Sequence, residues 1–379
     1  MLFRDKHGEC LFDMLKRLAL SGFKSIKTME IELNSLNVMI GANGAGKSNI
    51  ISFFKMLNEM MADRFQQYVY VSGRAQSLLH FGSKVTPQME AALDFEVENG
   101  LDRYQMRLFH AAGDSLIFAE ETLSFLQAGF SAPRVDELGA GHLETKINRA
   151  AEDGVQTAKA LRYLLNRCRV YHFHDTSSSA SLRQTCYAGD NRWLMPDAGN
   201  LAAILLRFRR ENNGEAYRRI IETIRLIAPF FDDFVLEEDV SGRVMLDWRE
   251  KGSDRVFGPH QFSDGTLRAI CLATLLLQPK DELPKLIIVD EPELGLHPYA
   301  LTIVAELFRR VALHTQVLIS TQSASFLDNF EPGDVITVNR NGDKVSEIKR
   351  LKSDELAAWL DEYSLGDVWV KNVIGGGPH

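Results

Sequence analysis

The octapeptide Gly41-Ala-Asn-Gly-Ala-Gly-Lys-Ser48 constrains this chain more than any other feature, because it matches GxxxxGK[ST] in full. It follows a β-favouring run at 36–40 and opens a segment, 47–61, whose apolar residues recur at helical spacing. Strand, glycine turn and helix in that order let successive N–H groups curl around a phosphate at the positive end of the helix. Lys47 is expected to reach the β- and γ-phosphates and Ser48 to join a Mg²⁺ shell. Asn43, Gly44, Ala45, Gly46 and Asn49 complete the expected cradle, with ATP and Mg²⁺ as its ligands. At average composition such a match arises by accident in roughly one chain of this length in 70.

Composition removes several alternatives. With 45% hydrophobic and 25% charged residues, the chain is neither disordered nor fibrous nor of low complexity. Its long apolar run 269–277, interrupted only by Thr274, is about half the roughly 20 residues of a membrane-spanning helix, so no membrane partner is expected. The charged N-terminus carries no signal core, and residues 1–13 read as an extension ahead of a second start at Met14. Cys10, Cys168, Cys186 and Cys271 lie far apart without a CxxC pair, which predicts reduced thiols and a cytoplasmic location. The net charge of −8 conceals a basic middle: residues 159–225 hold twelve Lys/Arg against six acids.

Strand-like segments are expected at 18–20, 29–33, 36–40, 91–97, 104–110 and 116–119, then a looser stretch at 129–154. Helices come next at 156–167, 199–210 and 215–228, with a strand at 169–173 and a hairpin pairing 234–238 with 244–248 around Ser241-Gly242. After 256 the rhythm becomes that of a parallel α/β sheet. The predicted organisation is a P-loop head with an antiparallel β lobe over 14–130, an inserted helical and β arm over 131–255, and the second half of the head over 256–379.

Leu286-Ile-Ile-Val-Asp-Glu-Pro292 is an apolar strand ending in two carboxylates. Asp290 is placed to hold Mg²⁺, and Glu291 to orient and deprotonate an attacking water. Before it, Gln261-Phe-Ser-Asp-Gly-Thr266 precedes a helix, 27 residues from Ser263 to Asp290. This pentapeptide, FSDGT, resembles the LSGGQ-type signature of ABC-class ATPases, and Glu293-Leu-Gly-Leu-His-Pro298 is similar to the D-loop of their RecF, SMC and OLD-like branch. Leu20-Ser-Gly-Phe-Lys-Ser-Ile26 resembles that branch's first strand and turn. The whole looks most like the stand-alone bacterial ATPases of this group, which often sit beside nuclease genes and in anti-phage operons.

The resemblance implies an ABC-type ATPase head that dimerises around ATP. Ser263 and Gly265 would cap the γ-phosphate held by a second subunit, and Asp264 stands where many relatives carry glycine. Relatives commonly place histidine in an STHS-type switch; here Ser320-Thr-Gln-Ser323 puts Gln322 there, which can hydrogen-bond a phosphate but not become cationic, so slow or partner-dependent turnover is expected. The Q-loop glutamine is open among Gln66, Gln67, Gln76 and Gln88.

Tyr171-His-Phe-His-Asp175 reads as a strand-end hydrogen-bond network before it reads as a metal site. The arginines of 205–210 and 217–225 suit the phosphates of a nucleic acid, or else a solvated helix face or an interface with an acidic partner. Absent heptads argue against long coiled coils, and the short tail leaves no fused nuclease, so any effector is expected as a separate protein encoded nearby. The leading expectation is therefore a homodimeric or larger ATPase sensor and scaffold controlling a nuclease-like effector in anti-phage defence. A DNA-repair ATPase binding DNA through the arginine-rich arm and an ATP-binding switch with little turnover are the alternatives; a transporter motor stands last.

Overall fold

Alternating apolar residues set the strands at the start of the chain, and the computed structural model describes residues 13–377. In chain order the strands are β1 (Met14–Phe23), β2 (Ile26–Glu32), β3 (Leu36–Ile40), β4 (Gln88–Val97), β5 (Gly100–Ala111) and β6 (Ser115–Gln127). Then come β7 (Arg134–Gly139), β8 (Cys168–Tyr171), β9 (Cys186–Tyr187), β10 (Phe231–Val235), β11 (Arg243–Val244) and β12 (Asp247–Glu250). The last are β13 (Val256–Phe257), β14 (Leu286–Asp290), β15 (Gln316–Thr321), β16 (Val335–Arg340) and β17 (Ser346–Arg350). The expected extension 1–13 lies outside the described residues, apart from Asp13.

The chain divides into two units. Among the described residues, the first comprises those up to Val170, Pro284–Ile288 and those from Leu313 onward; the second comprises Tyr171–Leu283 and Val289–Ala312. The first unit holds an antiparallel sheet of order β2-β1-β4-β5-β6-β7 and a second sheet of order β17-β16-β3-β15-β14-β8. In the second sheet β3 runs parallel to both β15 and β16, while β17 returns antiparallel to β16. Every residue of β3 is buried, as a strand with neighbours on both edges requires. The helix Lys47–Met61 buries Ile50, Ile51, Phe53, Phe54, Met56 and Leu57 in the same core cluster as Leu18, Phe23, Met39 and Leu318. Each such side chain contributes about 1.5–3 kcal/mol. Gln316, wholly buried, closes the fold across sequence by accepting from Leu15 N and donating to Leu15 O.

Residues 131–170, assigned to the arm by sequence, lie in the first unit, because Ile147, Ala151, Leu161 and Leu165 pack into its core cluster. The stretch 129–154, expected to be loose, contains β7 and the helix Ile147–Glu152. β7 is a largely exposed edge strand without apolar alternation, so only its pairing with β6 reveals it. The buried Glu121 carboxylate organises the turn between β7 and that helix, accepting from Tyr104 Oη, Thr145 Oγ1 and Lys146 N and contacting His142 Nε2.

The second unit carries the helices Leu201–Arg210, Glu215–Ile227, Asp264–Leu277 and Pro298–Val311, with small sheets of order β10-β12-β13 and β11-β9. The expected hairpin is corrected here. β10 does pair with β12, Phe234 opposite Trp248, but Arg243 and Val244 pair instead with Tyr187 and Cys186. Asp239 Oδ1 accepts from Ser241 N and Arg243 N, which closes a local turn, and the Arg243 guanidinium holds Thr185.

Candidate functional site

In the first unit the phosphate loop joins β3 to the helix Lys47–Met61. Gly44 and Gly46 take φ of +77° and +122°, the left-handed region that favours glycine. A Cβ on Gly46 would meet Ser346 Oγ at 2.1 Å, and one on Gly41 would meet Val338 O at 2.2 Å. Lys47 is only 5% exposed and bends back into the loop, donating to Gly41 O (2.5 Å) and Ala42 O (3.2 Å). Asn43, Gly44 and Ser48 are exposed, whereas Ala45 and Gly46 are buried. The loop thus presents backbone and a hydroxyl at the start of a 15-residue helix, with an ammonium held beneath, which fits an anionic phosphate.

A hydroxyl relay braces this loop, and the motif does not announce it. Ser346 Oγ donates to Ala45 O (2.7 Å), so the Ser25 hydroxyl must donate to Ser346 Oγ (2.7 Å), and Asn49 Nδ2 in turn donates to Ser25 Oγ (2.5 Å). Lys24, Ser25, Gly44, Asn49, Arg340 and Lys344 line an open cavity of about 610 Å³, whose cations suit a polyanion. Of the four Q-loop candidates Gln76 also lines that cavity. Gln66 is committed to Leu116 O and Leu143 O, Gln88 to Glu90, and Gln67 is exposed. In the register of β15 with β3, Thr321 lies opposite Ile40, so Gln322 leaves its strand level with the start of the phosphate loop.

In the second unit Ser263 caps the helix Asp264–Leu277, its Oγ accepting from Thr266 N at 3.1 Å. Asp264 is held by Arg183 Nη2 at 2.9 Å. Arg183 is buried and also donates to Thr176 O, Pro259 O and Phe262 O. The aspartate's charge is thereby engaged inside its own unit. Gly265 has an ordinary φ but no room: a Cβ would meet Gly295 O at 2.2 Å. The signature turn and the 293–298 segment interlock at this point.

Arg268, one turn on, donates to Phe173 O, His174 O and Leu294 O. His174 Nε2 lies 3.1 Å from Asp290 O; since a carbonyl only accepts, Nε2 carries the proton, and Nδ1 faces Glu291 Oε2 at 4.0 Å. Glu291 itself adopts φ +44°, a strained conformation for a non-glycine residue that turns the chain out of β14. His174, Glu291, Asp290, Arg268 and Leu294 share one small cavity. The HFHD segment signalled a hydrogen-bond network, but nothing in its spacing could pair His174 with the Asp-Glu turn. Among the described residues no group of three or more His, Cys, Asp or Glu is arranged to hold a metal ion.

The basic helices are largely committed. Arg207 pairs with Glu211 and Glu282, Arg210 with Glu238 and Arg225 with Asp232, while Arg209 donates to Leu236 O. No helix among the described residues is long and apolar enough to cross a membrane.

A glycine loop between β3 and a helix, in a sheet whose β14 ends in Asp-Glu, with a signature-like turn opening a second helix, defines the ABC-type ATPase head fold. Solved structures with this fold include an SMC head bound to the C-terminal winged-helix domain of ScpA, at TM-score 0.61 and 17% identity, covering 91% of this chain and 99% of that one. A Pyrococcus furiosus SMC head with an extended coiled coil, bound to the C-terminal domain of ScpA, matches at TM-score 0.57 and 16% identity over 92% and 99%. One from Pyrococcus yayanosii, with a coiled coil and joint, matches at 0.51 and 14% over 92% and 99%. Residues 171–328 match a family model described as "AAA domain, putative AbiEii toxin, Type IV TA system". No curated protein matches the chain.

Proposed function

We propose that this chain is an ATP-hydrolysing head that pairs with a second copy around ATP and governs a separate effector protein. The observation that carries the reading is the phosphate loop, where two left-handed glycines and the inward-bent Lys47 form a cradle for anionic oxygens at a helix start. Ser48 and Asp290 would hold Mg²⁺, which when bound neutralises charge on the β- and γ-phosphates. Glu291 accepts a proton from a water that attacks the γ-phosphorus, the bond to the β–γ bridging oxygen breaks, and ADP and phosphate leave. Gln322 hydrogen-bonds the γ-phosphate or the water. Ser263 and the helix start behind Gly265 cap the γ-phosphate held by the second copy, and Arg183 keeps the Asp264 charge off it.

The match of 171–328 to a family described as a putative toxin of a type IV TA system supports a place in a toxin system, and solved heads carrying a ScpA domain support protein docking on such folds. The effector is proposed to be a nuclease in bacterial anti-phage defence. Arg207, Arg210 and Arg225 of the two basic helices are paired with acids of the chain, which gives the nucleic-acid reading less support.

Phosphate release and mass in solution test this together. Wild type should hydrolyse ATP, Lys47→Ala should lose ATP binding, and Glu291→Gln should bind ATP and accumulate as a dimer. Equal phosphate release by wild type and Glu291→Gln would remove the enzymatic reading. A monomeric Glu291→Gln with ATP bound would remove the paired head.

A further inference from the structure

The phosphate loop has a second brace, built by a segment that the ATPase motifs leave unexplained. Gly376 O accepts from Ala42 N at 2.9 Å and from Trp369 Nε1 at 2.8 Å. Gly376 adopts φ +68°, and a Cβ there would meet Val338 O at 2.9 Å and Gly41 Cα at 3.5 Å. Gly377 donates its N–H to Asn372 Oδ1 at 3.1 Å, and its Cβ would meet Trp369 O at 2.8 Å. Gly375 is also left-handed, at φ +75°. Gly376 thus lets the backbone run beside the first residues of the phosphate loop, and Gly377 lets it turn back onto Trp369 and Asn372.

The same segment reaches the switch. Trp369, 4% exposed, lies on the helix Leu365–Val370, which starts at a Ser364 capping box. At its start Gly366 N donates to Asp328 Oδ1 at 2.6 Å, and a Cβ on Gly366 would meet Ala324 O at 2.5 Å. Ala324 opens the short helix capped by Ser323, next to Gln322. One end of the strap therefore grips the segment after Gln322, and the other holds the loop through Ala42. The Ala42 N–H is spent on the strap, so the phosphate-facing donors begin later in the loop.

We propose that residues 364–377 form a strap that positions the phosphate loop for a nucleoside triphosphate and couples it to the Gln322 segment, with Trp369 and Gly376 as its positioning residues. The inference rests on the nucleotide reading above and deepens it. Trp369→Phe keeps an aromatic ring and removes the N–H; Gly376→Ala strains the left-handed backbone and crowds Val338 O, beside Gly41.

The test measures ATP affinity by equilibrium dialysis on the full chain, alongside intrinsic fluorescence and melting without nucleotide. Trp369→Phe should weaken ATP binding roughly three- to tenfold, as one hydrogen bond allows, with its melting temperature kept. It should also lose most of the fluorescence change that ATP causes in wild type. Gly376→Ala should weaken binding at least about tenfold. Trp359→Phe, an exposed tryptophan on the preceding helix, is the control and should bind as wild type. If wild type and Lys47→Ala bind ATP equally, the nucleotide reading fails and the strap falls with it. If Lys47→Ala abolishes binding but Trp369→Phe and Gly376→Ala both match wild type, the strap is overturned and the reading stands. Should Gly376→Ala not fold, Trp369→Phe decides alone.

Discussion

Gly46 and Gly265 belong to two motifs that sequence reads the same way, as glycines that let a phosphate approach, yet the structure gives them different reasons. Gly46 sits at φ +122° and needs glycine for its backbone conformation. Gly265 has an ordinary backbone and needs glycine because Gly295 O lies where its Cβ would be. The loop is shaped by torsion and braced by hydroxyls, whereas the signature turn is shaped by close packing against the 293–298 segment. A glycine in a motif therefore reports a constraint without naming it.

The comparison can be broken from either side. The largest effect belongs to Glu291→Gln, which should lower phosphate release by about 10²–10⁴-fold while ATP affinity stays near wild type, as binding lies with the loop. Gly46→Ala should act in the opposite sense, lowering ATP affinity by up to about 100-fold through left-handed strain and the Ser346 contact. Gly265→Ala should cost about 1–3 kcal/mol of stability in denaturant unfolding and weaken the ATP-bound pair, while the unpaired chain keeps its ATP affinity, since the added methyl overpacks the second unit alone. Loss of ATP affinity in the unpaired Gly265→Ala chain would mean that the two glycines share one role after all.

The smallest effect sharpens the comparison by changing the first unit's stability at neither glycine. Burial, reinforced by Asp13, raises the Asp102 carboxyl to about 6. Between its unfolded value near ~4 and about 6, folded Asp102 keeps a proton that the unfolded chain has released, so stability falls as pH rises through that window. Asp102→Asn should therefore melt higher than wild type at pH 7.5, and the gain should vanish near pH 4. ATP affinity should not move.

The parts legible in sequence were those whose signal is local. The strand, loop and helix around Lys47 lie in consecutive residues, and the helix Asp264–Leu277 comes directly after a capping serine. The features that sequence missed come from distant pairings. Ser25, Ser346 and Gly376 meet the loop, and His174 meets the Asp290–Glu291 turn, from positions that carry no periodic or spacing signal. The displaced hairpin has the same origin: Val244 looks like a partner for its neighbours until Cys186 arrives from elsewhere in the unit. Asp264 looked out of place for the same reason, because Arg183 lies 81 positions away.

The relay through Ser346 sets a timetable on the ribosome. Ala45 and Ser346 are 301 positions apart, and at about 5–20 residues per second the hydroxyl that braces the loop is made roughly 15–60 s after the loop itself. During that interval the nascent chain carries the whole glycine motif without its brace. ATP capture would then be a property acquired only after Ser346 has been made, and a ribosome stalled before it would leave a chain with the motif but an unfinished site.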